Sequence, residues 1–211
     1  TVTGQGLIGS SYSTANVTST NTNTGGLVGA AIATGLFGGY VFDSYASGSI
    51  TGTSQVGGLV GYSQSLSVDT SYATGNVSGS GDSVGGLIGA GTGATNSYAT
   101  GNVTGVHNGG SLVGCISGDT TFNVTNVHFN SQATCTNTGT GGATVSYGTS
   151  HTLSSFYSSS HAVYANSNLT NQWSSNGSSF PVLDPDMLNS SHAGCTLSLI
   201  HISEPTRQAE I

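Results

Sequence analysis

Gly, Ser, Thr and Asn supply 114 of the 211 residues, and only 4% of the chain is charged, with a formal net charge of −7. Lysine is absent and Arg207 is the one base. Such a chain cannot neutralise phosphates, which excludes nucleic-acid binding, and it cannot dock electrostatically on anionic membranes. The 35% of apolar residues fall in short spaced clusters. None is long enough to cross a bilayer, so no membrane insertion is expected. The usual signature of disorder, low hydrophobicity with high net charge, is not met. Helix is disfavoured by composition and by the lack of apolar residues at helical spacing.

In chain order, a first unit reads SYSTANVTS from Ser11, SYASGSITG from Ser44, SYATGNVSG from Ser71 and SYATGNVTG from Ser97. Its tyrosines, Tyr12, Tyr45, Tyr72 and Tyr98, are spaced by 33, 27 and 26 residues. A second unit alternates with it: GGLVG at 25–29 and 57–61, GGLIG at 85–89, with variants GLIG at 6–9 and GGSLVG at 109–114. Strand-length β-branched runs bounded by Gly, recurring in phase, predict a parallel β-solenoid (β-helix) over 1–128 with coils of about 26 residues. One such coil cannot bury its own apolar side, but stacked coils about 4.8 Å apart can. Two inward ladders are expected, Leu27/Leu59/Leu87/Leu112 and Val17/Ile50/Val77/Val103, with Gly at corners that need positive φ. The longer first spacing is assigned to a bulged corner or a short extra strand between Ala30 and Phe42.

GGLVG followed by NSYATGNVTG resembles the GLUG repeat of large secreted and surface-anchored proteins, adhesin-like proteins and non-catalytic parts of some surface peptidases among them. The resemblance covers about residues 4–114. It implies an extracellular, cell-surface stalk or adhesive module rather than a particular activity.

Past Gly114 the period fails. VTNVHFNSQATC, 124–135, reads as a degenerate last coil, and the aromatic-rich stretch to Leu188 as a C-terminal cap or a small separate domain, within a segment 129–195. A solenoid end exposes unpaired strand edges and so requires covering; Trp173 and Phe180 are expected over the last coil. The tail 196–211 changes composition abruptly, and SLIHISEPTR (198–207) resembles translated sequencing-adapter read-through. No function is placed there.

Candidate chemistry is thin. Gly4–Gly9 fits GxGxxG but no helix pattern follows. Ser83 sits in GxSxG, yet its last Gly opens GGLIG, so a corner is expected rather than a nucleophile elbow. Asp43 and Asp69 precede repeat tyrosines and could approach each other between coils at the separation of a hydrolytic pair; solvated turn aspartates are the plainer reading, as for Asp184 and Asp186. Six histidines (His107, His128, His151, His161, His192, His201) show no metal-ligand spacing. No metal, cofactor or catalysis is expected.

Cys115 and Cys135 could bridge the last coil to its connector, leaving Cys195; three free thiols are the alternative. Sequons occur at Asn16, Asn76, Asn102, Asn123, Asn168, Asn176 and Asn189. The first three lie four residues after a repeat tyrosine, on the outward side, where glycans or an asparagine ladder would form. Tyr12, Tyr45, Tyr72 and Tyr98 make either a stripe for stacking on sugars or a column packed on itself. The expected partners are copies of the chain, end to end or by edge strands, or cell-surface glycans. Recognition of ice or another ordered surface by rows through Thr14, Ser47, Thr74 and Thr100 is the competing reading.

Overall fold

The chain winds as a parallel β-solenoid in a computed structural model that describes residues 2–3, 6–32, 38–106, 113–118, 123–138, 148–158, 173–174, 178–180 and 182–183. Each circuit visits the same stacks in the same order. One stack is five strands deep: Val17–Thr18, Ile50–Gly52, Val77–Gly79, Val103–Gly105 and Cys135–Asn137. The next holds Thr24–Gly25, Val56–Gly57, Val84–Gly85 and Val113–Gly114. A third holds Val2–Thr3, Val28–Ile32, Val60–Gln64 and Ile88–Ala90. The last runs through Leu7–Gly9, Gly39–Phe42, Leu66–Asp69, Gly93–Ala99, Asn123–Asn130 and Thr149–His151. The short tyrosine strands Tyr12–Ser13, Tyr45–Ala46 and Tyr72–Ala73 continue it around a corner.

Registers are those of like on like. Val17 pairs with Ile50, Ile50 with Val77, Val77 with Val103 and Val103 with Cys135. Ile50, Val77 and Val103 are buried, Val17 partly so, and with Val56 and Val84 they form one apolar cluster. A larger cluster joins Leu59, Leu87, Val60, Ile88, Val41, Val68 and the alanines Ala46, Ala73 and Ala99, with Leu27 packed against it from the first coil.

The leucine ladder departs from expectation at its end. Leu27 N–H donates to Leu59 O, Leu59 N–H to Leu87 O, and Leu87 N–H to Ile116 O, so Ile116, fully buried, takes the next rung. Leu112 itself lies outside the described residues. The register Val84 with Val113 and Gly85 with Gly114 shows why: VGCIS at 113–117 aligns with VGGLI at 84–88, and GGSLVG only imitates the motif. The last circuit also extends through Asn137, because Cys135–Asn137 pairs with Val103–Gly105. Residues 33–37, where the extra length of the first repeat falls, are outside the described residues.

The glycines serve a different need from the one expected. Corner residues with positive φ are Ser10, Asp43, Thr70, Asn96 and Asn126 in one column, Asn23, Gln55 and Ser83 in another, and Ser65 between Val60–Gln64 and Leu66–Asp69. Among the described residues the one positive-φ glycine is Gly148, outside the repeats. Asn and Asp tolerate this conformation best, because their side chains bond the nearby backbone. The repeat glycines are there for room. A methyl group at Gly25, Gly57 or Gly85 would overlap the carbonyl oxygen of Val28, Val60 or Ile88. One at Gly48, Gly75 or Gly101 would overlap a backbone carbonyl of the preceding coil. Coils therefore approach backbone to backbone where a side chain has no place.

Beyond the last coil, Thr149–His151 adds one more parallel strand to Asn123–Asn130. A five-residue helix follows, Leu153–Tyr157, capped by Thr152 Oγ1 accepting from Ser155 N–H. Trp173–Ser174 pairs antiparallel with Val182–Leu183; the placement of the Trp173 ring is outside the described part. Among the described residues no helix is long and apolar enough to cross a membrane.

Candidate functional site

The most ordered feature is the column of tyrosines. Tyr12, Tyr45, Tyr72 and Tyr98 stack face over face, with ring centroids 5.1, 4.8 and 4.9 Å apart and planes within 8° of parallel. Their chain neighbours Ala46, Ala73 and Ala99 belong to the interior cluster, so by strand alternation the rings point outward. They do not form an open stripe for ligands. Exposure falls from 58% at Tyr12 to 0% at Tyr98, because each ring covers the next and the C-terminal segment covers the end. Phe156 and Phe180 lie 5.6 and 6.4 Å from the Tyr98 ring, with Tyr157 and Leu183 in the same cluster. The cap thus clasps the side of the tyrosine column, one coil below the end of the stack.

This packing has a consequence at high pH. Burial, and secondarily the charge of a neighbouring phenolate, pushes the Tyr45 and Tyr72 phenols above the usual range. A raised phenol stabilises the fold while both states are protonated. That contribution is complete below about pH 10 and is lost as pH rises past it. Spectrophotometric titration should show a class of phenols ionising only together with loss of the β-sheet circular dichroism. Smooth ionisation of all nine tyrosines near the free value, with the fold intact, would contradict the buried stack.

Serine columns line the corner beside the rings. Ser44, Ser71 and Ser97 each accept the backbone N–H of the serine one coil before at 3.1 Å, and each donates to the carbonyl two residues back. All three are fully buried, and a corner with satisfied polar groups explains why the repeat carries Ser before Tyr.

The asparagines of the first sequons also form cross-coil contacts. Asn16 Oδ1 accepts from Ser49 N–H at 2.8 Å, Asn76 Oδ1 from Asn102 N–H at 2.9 Å, and Asn102 Oδ1 from Thr134 N–H at 2.9 Å. Asn16, Asn76, Asn102 and Asn123 are exposed; Asn168, Asn176 and Asn189 lie outside the described residues. Two residues on, Thr18, Thr51, Ser78, Thr104 and Thr136 form a second outward row, aligned by strand register and exposed in every coil. The row expected from Thr14, Ser47, Thr74 and Thr100 is not a continuous surface. Thr100 is buried and Thr74 half-buried, because this side of the coil sinks toward the later rungs.

Residues 52–78 match the GLUG motif. The chain carries the GLUG repeat. The matched stretch is one circuit of the solenoid, leaving the five-strand stack at Gly52 and returning to it at Val77–Gly79. The architecture is similar to the crystal structure of a putative immunoglobulin A1 protease from Bacteroides ovatus, with a TM-score of 0.64 at 24% identity. That alignment covers 85% of this chain and 57% of that one, so the chain spans little more than half the length of this structural relative. None of the curated proteins compared matches it.

Against this GLUG frame the remaining candidates find their places. A disulfide joins Cys115 and Cys135, with Cα atoms 5.5 Å apart and a sequence separation of 20. Cys115 occupies the Gly86 column and Cys135 the end of the valine ladder, so the bridge ties two sides of the last coil. Closing a loop of that size contributes roughly 3 kcal/mol in the chain-entropy account. Cys195 lies outside the described residues. Ser83 is a buried positive-φ corner. Asp69 Oδ1 accepts from Thr95 Oγ1 at 2.7 Å and from Asn96 Nδ2 at 3.0 Å. Asp69 aligns with Phe42 by register, while Asp43 is a positive-φ corner residue in the next column. Asp184, Asp186, His107, His161, His192 and His201 lie outside the described part.

One constellation escaped the sequence reading. His128 takes the place of tyrosine in the fifth rung, opposite Tyr98, and bonds His151 of the closing strand at 2.8 Å. The two are 23 residues apart, and only the continued tyrosine column points to the first of them.

Proposed function

We propose that the chain is a non-catalytic extracellular module that presents a long, stiff surface, as part of a cell-surface stalk, an adhesin or a self-assembling glycoprotein filament. One observation carries this reading. Among the described residues the strand stacks keep register from the first coil to Asn137, and the outward row Thr18, Thr51, Ser78, Thr104 and Thr136 is exposed in every rung. In such an array each coil contacts its neighbours alone, so length and stiffness grow by repetition. The disulfide is consistent with an oxidising, extracellular setting. Partners would be copies of the chain, meeting at strand edges, or glycans on a cell surface. The Asp69 carboxylate is engaged in holding Thr95 and Asn96, which supports a scaffold role for it rather than an acid–base one.

Electron microscopy of the native material tests the proposal. Regular filaments would support the fibre mode, and separate rods on cell surfaces the adhesin mode. A compact monomer with no partner surface would count against both. Glycan cleavage that disappears in Asp69→Asn would overturn the non-catalytic reading.

A specific observation favours a second reading. The exposed hydroxyl row Thr18, Thr51, Ser78, Thr104, Thr136 lies beside the row Asn16, Ser49, Asn76, Asn102, Thr134. Such a grid repeats at about 4.8 Å across strands and about 6.7 Å along them. An uncharged, regular array of this kind suits an ordered surface such as ice. Thermal hysteresis of the purified chain, reduced in Thr104→Leu, would support it; freezing behaviour like that of an inert protein would remove it. Glycans on Asn16, Asn76 or Asn102 would block the same face, so mass spectrometry of the native protein bears on both readings.

A further inference from the structure

The chain of hydrogen bonds that ends in His128 and His151 has a single direction. Asn96 must present its Nδ2 to the Asp69 carboxylate, at 3.0 Å, so its Oδ1 accepts from Asn126 Nδ2, also at 3.0 Å. Asn126 Oδ1 is then the acceptor toward His128 Nε2 at 2.8 Å. In the neutral ring that bond places the His128 proton on Nε2 and leaves Nδ1 with a lone pair. His151 Nε2, 2.8 Å from this lone pair, must therefore donate, and its Nδ1 can accept from Ser155 Oγ at 3.4 Å. Every link is satisfied when both imidazoles are neutral.

We propose that the His128–His151 pair is an acid-sensitive latch that holds the closing strand and the short helix against the last coil. One proton more, on His151 Nδ1, keeps the bond to His128 with Ser155 Oγ now accepting, and leaves a cation in a partly buried site. Two more set N–H against N–H at a spacing that only a donor and an acceptor can share. The coil beneath contributes the Tyr98 phenol and, two amides away, the Asp69 carboxylate; the helix contributes the Tyr157 phenol and the Phe156 ring, edge-on to His151 at 5.6 Å. His128 is buried.

Burial holds the His151 imidazole below its ordinary range. A lowered imidazole stabilises the closed form fully above the free value of about 6.5, and that stabilisation is lost as pH falls below it. The parts held by the latch are Thr149–His151, which pairs with Asn123–Asn130, and Phe156, which lies against Tyr98. Release would bare a strand edge able to pair with another strand. The inference holds for an adhesin and for a filament alike.

Hydrogen exchange on the full chain tests it, following 148–158 and using 84–90 as the core reference. Protection of 148–158, corrected for intrinsic rate, should fall about tenfold or more between about pH 7.5 and 5.0, while the reference holds. His128→Phe continues the aromatic column without a proton site, and His151→Gln keeps a donor toward His128 with one titrating ring fewer. Both should flatten the pH dependence. Unchanged protection in the wild type, or an undiminished acid effect in a folded variant, would overturn the latch. Should the variants not fold, nitrogen-15 spectra of the wild type decide: His128 protonated on Nε2 alone at neutral pH is required, and protonation on Nδ1 sinks the proposal.

Discussion

Leu87→Asp should leave no cooperatively folded solenoid. Leu87 is fully buried in the middle of its ladder, receiving the Leu59 N–H on its carbonyl and donating its own N–H to Ile116. Truncating a buried leucine costs about 2–5 kcal/mol in lost transfer energy and cavity. Placing an unpaired carboxylate there adds several more, since no described base lies within the core to receive it. The sum rivals the whole stability of an ordinary domain, about 5–15 kcal/mol. Urea unfolding followed by far-ultraviolet circular dichroism should show a cooperative transition for wild type and for Leu87→Ala at lower urea, and none for Leu87→Asp. Leu7→Asp provides the contrast. Leu7 is 72% exposed at the outer side of the first coil, and this change should move stability by no more than about 0.5 kcal/mol. A folded Leu87→Asp within about 1 kcal/mol of wild type would refute the ladder.

The stacks were legible because two motifs keep phase with each other, and phase is what register preserves. Val17, Ile50, Val77 and Val103 stack as their spacing implies. The tyrosines likewise fall opposite one another, but spacing alone does not tell a column packed on itself from an open stripe. That depended on Phe156 and Phe180, more than fifty residues along the chain from Tyr98. The leucine ladder was misread at its end for a related reason. GGSLVG kept the letters of the motif while the backbone kept the register, and the disulfide half Cys115 and the β-branched Ile116 took the places of Gly86 and Leu87. Of the histidine pair, only His128 carried a signal, as the continuation of the tyrosine column. Its members become neighbours when a strand after a long connector pairs onto the last coil, a long-range event that periodicity does not encode.

Gly57→Ala should be nearly as damaging as a core truncation, although it adds a single methyl group to a residue favouring no special φ. The added carbon would overlap the Val60 carbonyl oxygen and stand 2.6 Å from the Gly89 N–H nitrogen. Both are backbone atoms, fixed by the parallel pairing of Val56–Gly57 with Val84–Gly85 and of Val60 with Ile88. No rotamer change relieves the clash, so the 57–60 corner must open and the next coil must move away locally, which loosens ladder bonds on either side. Overpacking of a well-packed interior costs about 1–3 kcal/mol and occasionally more, and a clash confined to backbone belongs at or above the top of that range. Gly81→Ala separates this effect from the general cost of replacing glycine. There the added methyl meets the Ser54 hydroxyl, a side-chain end free to rotate away. Its stability should stay within about 1 kcal/mol of wild type, while Gly57→Ala loses about 3 kcal/mol or more, which at this chain length means roughly 6–12 °C in Tm. Parallel thermal melts of the two variants give the comparison directly. Equal losses would mean that the glycines are selected for backbone freedom after all, and that the close approach of the coils does not explain the motif.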